Sequence, residues 1–168
     1  MTGRTLIAGI GNVFLGDDGF GVEVVRRIDP ALLPGGVDVA DFGIRGLHLA
    51  YELLGDRYAT VVLVDAVPLD GPPGTLAVLE VDPGEDRAAA AVDAHGMTPD
   101  AVLALLRGLG GSLDRVVVVG CRPAELGEGM RLSGPVAAAV DDAVRLVLDV
   151  VGGAAALQTT GGERGDAT

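Results

Sequence analysis

Ala8-Gly9-Ile10-Gly11-Asn12-Val13-Phe14-Leu15-Gly16-Asp17-Asp18-Gly19-Phe20-Gly21 reads as the end of a strand, a tight glycine loop, two adjacent carboxylates and the opening of a helix. Such a junction sets backbone N–H groups and acidic side chains at the carboxyl edge of a sheet, where open α/β folds keep their sites. The apolar run 5–10 supplies the strand. After the loop, Val22, Val25 and Ile28 recur on one face of a helix over about 18–28, with Glu23, Arg26 and Arg27 turned outward.

Downstream, strands and helices alternate. A second strand is expected at 37–42, then a helix over 46–54 with Leu47, Ala50 and Leu54 inward. Residues 59–65 are apolar without alternation until Asp65, the pattern of a parallel strand buried on both faces. The strand at 75–81 follows too closely for a parallel crossover and is expected to run antiparallel to its predecessor. Residues 82–96 read as loop. Thr98-Pro99 is an N-cap followed by proline at the first helical position, and Val102, Leu105, Leu106 and Leu109 form the stripe of the next helix. The run 115–121 is a last buried strand. A loop then leads to Pro135 and a final helix with Val136, Val140, Val144 and Val147 inward. Alternation of this kind predicts a three-layer α/β/α sandwich in one domain, 1–151, with a disordered tail over 152–168.

Composition excludes several classes. The net charge of −12 disfavours nucleic acid and anionic membrane as partners, since both need a positive footprint. All twelve basic residues are arginine, so neither a lysine Schiff base nor a P-loop lysine is available. The lone Cys121 excludes an internal disulfide and zinc motifs built on cysteine pairs. No signal-peptide pattern or membrane-length run is present, and the default compartment is the cytoplasm.

The candidate chemistry is acidic. Asp17 and Asp18 cannot both cap a helix; one of the pair is expected at the helix start, and the other in the crevice. Asp65 ends a strand at the same edge. His95 and His48 are the only histidines. His48 lies four residues before Glu52, which suits a surface pair rather than a ligand. Cys121 reads as a small buried hydrophobe, and Ser133 as a loop or cap residue before Pro135. Two carboxylates and one imidazole suit Ni, Fe, Zn or Mn with open positions. A dinucleotide site is disfavoured: Phe14 stands where the third glycine of G-x-G-x-x-G belongs, and two carboxylates at the helix start repel a pyrophosphate.

GIGNVFLGDDGFGVEVV resembles the opening of the hydrogenase maturation proteases, whose pattern is G-x-G-N-x-[L]-x-x-D-[DE]-G-x-G. The resemblance continues through DFGIRG, VDAV, His95 in DAHGMTP and GCRPAELGEGMRLSGPV, and spans about residues 4–150. It implies a mixed five-stranded sheet of order 2-1-3-5-4 with strand 4 antiparallel. It implies an endopeptidase that removes the C-terminal extension of the [NiFe]-hydrogenase large-subunit precursor after nickel insertion. Asp18, Asp65 and His95 are the implied metal-binding and functional residues, which leaves Asp17 for the helix start, and nickel is the implied metal, supplied by the precursor rather than resident. Position 18 is Asp where some members carry Glu. A monomer is expected. The competing expectation is a non-catalytic, metal-dependent binding or chaperone module that grips the same precursor, because no dedicated nucleophile stands out.

Overall fold

A computed structural model describes residues 3–83 and 98–153, and the backbone of 158–159. Six strands form one sheet in the order β2-β1-β3-β5-β4-β6. They are β1 (Arg4–Ile10), β2 (Val37–Gly43), β3 (Tyr58–Ala66), β4 (Leu76–Val81), β5 (Arg115–Cys121) and β6 (Gln158–Thr159). The helices are α1 (Phe20–Arg26), α2 (Gly46–Leu54), α3 (Pro99–Gly108) and α4 (Gly134–Gly152). The inner five strands have the expected order. β1, β2, β3 and β5 are mutually parallel, and β4 runs antiparallel to β5. β6 adds to the outer edge of β4, with Leu79 opposite Gln158. It falls within the tail to which the sequence assigned no structure.

The strand runs are β-branched and nearly unbroken because both faces are covered. Successive residues serve opposite layers. Leu6, Ala8, Ile10, Val61, Leu63, Val116 and Val118 pack toward Leu49, Ala50 and Leu53 of α2 and Val102, Leu103 and Leu106 of α3. Ile7, Val62, Val64, Val117 and Val119 pack toward Val24 and Val25 of α1 and Val136, Val140 and Val147 of α4. The inward face of α2 therefore differs from expectation: Leu49 and Leu53 are buried beside Ala50, while Leu47 stands exposed and Leu54 is half-buried. Thr98 caps α3 as expected, its Oγ1 accepting from the Ala101 N–H at 3.1 Å.

α1 lies unusually close to the sheet, which fixes the loop before it. A Cβ on Gly21 would overlap the Val64 carbonyl oxygen and sit 2.7 Å from that of Ile10. Only glycine fits that contact, so the first helix seats directly on β1 and β3.

At the opposite, amino-terminal end of the sheet, Asp38 accepts from Arg4 Nε at 3.0 Å and from the Tyr58 hydroxyl at 2.7 Å. The Arg4 hydrogen bond first, then that of Tyr58, holds its carboxyl below the ordinary carboxylate range. A depressed folded-state pKa gives stability that is present above the unfolded value, about 3.9, and lost as pH falls through the folded value. Asp38→Asn is therefore expected to lose less stability than the parent chain between about pH 4 and the acid limit of unfolding. Thermal unfolding over a pH series checks this.

Candidate functional site

The four parallel strands end at one edge, and their loops build the site there. The turn after β1 is organised by Asn12. Its Oδ1 accepts from the Phe14 N–H at 2.9 Å, and its own N–H donates to Asp18 Oδ2 at 2.7 Å. Gly16–Gly19 then make one turn of 3-10 helix, and α1 begins only at Phe20. The junction is tight at Gly11, whose φ is +129°. A Cβ there would overlap the Asp18 carbonyl oxygen and come 3.3 Å from Asp65 Oδ1. This glycine thus lets the loop carrying Asp18 close down beside the end of β3.

Asp65 is fully buried. Its one hydrogen bond among the described residues is from the Ala66 N–H to Oδ1, at 2.8 Å. Its second oxygen has no protein donor among those residues. Burial first, and the neighbouring Asp18 charge second, push the Asp65 carboxyl well above its ordinary value, against the pull of the Ala66 N–H. Burial also raises Asp18, and the Asn12 N–H opposes it. The carboxylates of Asp18 and Asp65 thus lie near enough for the charge of one to act on the other. One is driven toward its protonated form, and the pair shares a shortage of positive charge. Such a pair shuttles a proton, or grips a cation that displaces it. The donor set and the unpaired buried oxygen suit a divalent metal with open positions.

His95 lies outside the described residues, and no group of three or more potential ligands converges among the described residues. His48 is exposed, its ring tilted against Phe42 at 6.0 Å, rather than paired with Glu52. Cys121 is fully buried, and burial first, with the Asp17 charge second, pushes its thiol up to about 11. Neither makes an activated nucleophile.

Asp17 departs most from expectation. It caps no helix. Its fully buried carboxylate crosses to the loop after β5 and accepts four hydrogen bonds there. Ala124 N–H and Glu125 N–H donate to Oδ2 at 2.8 Å each, Ser133 N–H to Oδ1 at 2.7 Å, and Ser133 Oγ to Oδ2 at 2.8 Å. Burial alone pushes this carboxyl up; the four donors outweigh it and hold it below its ordinary value. Main-chain bonds reinforce the latch: Gly16 N–H donates to Gly129 at 2.8 Å, Asp17 N–H to Glu125 at 2.8 Å, and Gly129 N–H to Phe14 at 2.9 Å. Ser133, read as a loop or cap residue, stands at the N-cap position of α4, and its N–H and Oγ donate to Asp17 rather than its side chain capping the helix.

Two arginines missed by the sequence reading shape neighbouring loops. Arg45 donates to the carbonyls of Asp41 at 2.6 Å and Phe42 at 3.2 Å. Arg122 donates to the Leu69 carbonyl and so holds the β3–β4 connection. Both bind main-chain oxygens, which carry no side-chain signature in sequence.

At the carboxyl edge of this mixed α/β sheet, buried Asp65 and half-buried Asp18 lie side by side, without an activated nucleophile among the described residues. The chain belongs to the hydrogenase maturation protease family, whose model matches residues 22–150. It is 30% identical over 149 residues to the hydrogenase 2 maturation protease of Escherichia coli, covering 86% of this chain and 88% of that one. Among solved structures it resembles the hydrogenase 2 maturation peptidase of Thaumarchaeota archaeon SCGC_AB-539-E09, at 33% identity and TM-score 0.66, over 89% of this chain and 98% of the other. The E. coli hydrogenase maturating endopeptidase HybD is similar at 28% identity and TM-score 0.68, over 89% and 93%.

Proposed function

We propose that this protein is the endopeptidase that removes the C-terminal extension of a nickel-loaded [NiFe]-hydrogenase large-subunit precursor. The observation that carries the reading is the pair of half-buried Asp18 and buried Asp65, placed side by side at the carboxyl edge of the sheet, with both carboxyls raised. In this reading the precursor's nickel, arriving as part of the substrate, meets the two carboxylates and His95. Binding a cation drives the proton off Asp65. The released base, or the carbonyl polarised by the metal, then sets up attack by water at the scissile peptide. No protein nucleophile is required. The pair also holds the metal in register, which fixes where the chain is cut.

The test is incubation with nickel-loaded and nickel-free precursor, followed by mass spectrometry of the precursor's C-terminus. Shortening of the nickel-loaded form alone is the expected result. An uncut precursor that still binds tightly would instead assign the protein to metal-dependent precursor binding. Equal cutting of both forms would remove nickel from the recognition.

A further inference from the structure

Seven large apolar side chains stand exposed among the described residues. Six of them gather at the edge that holds Asp18 and Asp65. Phe14 follows β1; Ile44, Leu47 and Tyr51 follow β2; Leu126 and Met130 follow β5. The exception, Leu32, sits in the turn before β2, at the other end of the sheet. Scattered exposed apolar residues are ordinary, but a contiguous set marks a contact surface.

The loops that carry or precede these residues are bonded to one another. Gly11 N–H donates to the Gly43 carbonyl at 3.0 Å, joining the first loop to the second. Gly129 N–H donates to the Phe14 carbonyl at 2.9 Å, and Leu15 and Gly129 form a parallel bridge, joining the first loop to the third. A 300 Å³ cavity opens between Phe14 and Ile44, floored by Gly11 and Asn12. Another, of 660 Å³, runs along Gly16, Leu126 and Met130, with Glu125, Glu128 and Arg131 also lining it. The Asp17 latch keeps the third loop in place, so the surface is formed before any partner arrives.

We infer that this apolar collar is the docking surface for the folded body of the precursor, seated so that its metal centre faces Asp18 and Asp65; the inference rests on the function proposed above. Charge selects the occupant. A second copy of this chain, joined through the same face about a two-fold axis, would bring two acid pairs against each other, in a chain whose net charge is −12. A partner with apolar surface around a cationic centre satisfies both the collar and the acids at once. Apolar contact surrounding a central charged group is also the common layout of a specific interface.

The experiment measures KM for nickel-loaded precursor with Phe14→Ser, Met130→Ser and the double variant, with Leu32→Ser as the control from outside the collar. Thermal unfolding confirms that each is folded. The double variant is expected to raise KM at least about tenfold, each single variant less, and the control not at all. Because both side chains are exposed, the single variants keep the test decisive even if the double variant is poorly folded. Unchanged KM in the folded collar variants overturns the inference. So does sedimentation showing that the parent chain dimerises and the double variant does not, which would give the collar to a second copy. A parent chain that never shortens the precursor fails the proposed function itself; a parent chain that cuts while the collar is indifferent fails only the docking.

Discussion

Asp65→Asn is expected to slow precursor processing by about 10²–10⁴-fold while leaving the protein folded and, at neutral pH, at least as stable as the parent chain. The expectation follows from the opposite demands of site and fold. The carboxyl is fully buried at the end of β3, with one main-chain donor and a like-charged neighbour. The fold prefers its neutral form; the proposed chemistry needs the ion. Asparagine matches the neutral form in shape and cannot take up or release the proton. The sign of the pH dependence follows. A carboxyl whose folded pKa is raised makes the folded state bind more protons than the unfolded state, so stability falls as pH rises from about 4 toward the raised value. The variant lacks that decline. Processing rates with nickel-loaded precursor, and unfolding curves from pH 4 upward, check the two halves separately. A variant that cuts normally removes Asp65 from the site.

Asp17→Ala carries the largest expected effect on stability, a loss of about 2–4 kcal/mol. The substitution deletes one carboxylate and strands four donors, three of them main-chain N–H groups. Ala124 and Glu125 are exposed, so water reaches part of that shell and limits the loss. For a chain of this size the midpoint of unfolding should fall by roughly 4–16 °C. Asp17→Asn should be milder but still destabilising. With its oxygen placed where three donors meet, its amide NH₂ opposes the Ser133 N–H. The pH sign is the reverse of that for Asp65. The depressed folded-state pKa of Asp17 gives stability that is full above about 4 and drains away as pH falls through the folded value. Neighbours in sequence, Asp17 and Asp18 are thus pushed to opposite sides of the ordinary carboxylate range by what each one faces. Calorimetry of the alanine and asparagine variants tests the size and the order.

The legible parts of this fold were those whose cause is local. Val61–Val64 and Val116–Val119 are apolar on both faces because both faces are covered, and a sequence shows that directly. The short link between β3 and β4 left no room for a parallel crossover, so the direction of β4 followed. Thr98-Pro99 carried its own start signal. The convergence of Asp18 with Asp65 followed from a general property of parallel sheets, that loops after successive strands share an edge.

The illegible parts are long-range and made by main-chain groups. Asp17 meets donors 107 to 116 positions away, and most of them are N–H groups that any residue carries. Nothing in DDG distinguishes a latch from a cap. α2 is nine residues long, and its several leucines support two overlapping stripes; packing against α3 chose Leu49 and Leu53 over Leu47 and Leu54. Gln158–Thr159 has no apolar alternation, and it pairs in parallel with β4. The place of His95 in the site rests on the family resemblance, since it lies outside the described residues.

The position of β3 between β1 and β5 has a consequence for the order in which the protein is made. Asp65 lies opposite Gly120 in the register of β3 with β5, so one flank of its strand stays wet until residues 115–121 have been synthesised and paired. A chain growing from its amino end holds Asp18 and Asp65 well before that, as solvated acids. Docking of β5 dries Asp65, and the chain that follows brings Ala124, Glu125 and Ser133 to Asp17. The charge-starved pair is therefore a property of the finished molecule.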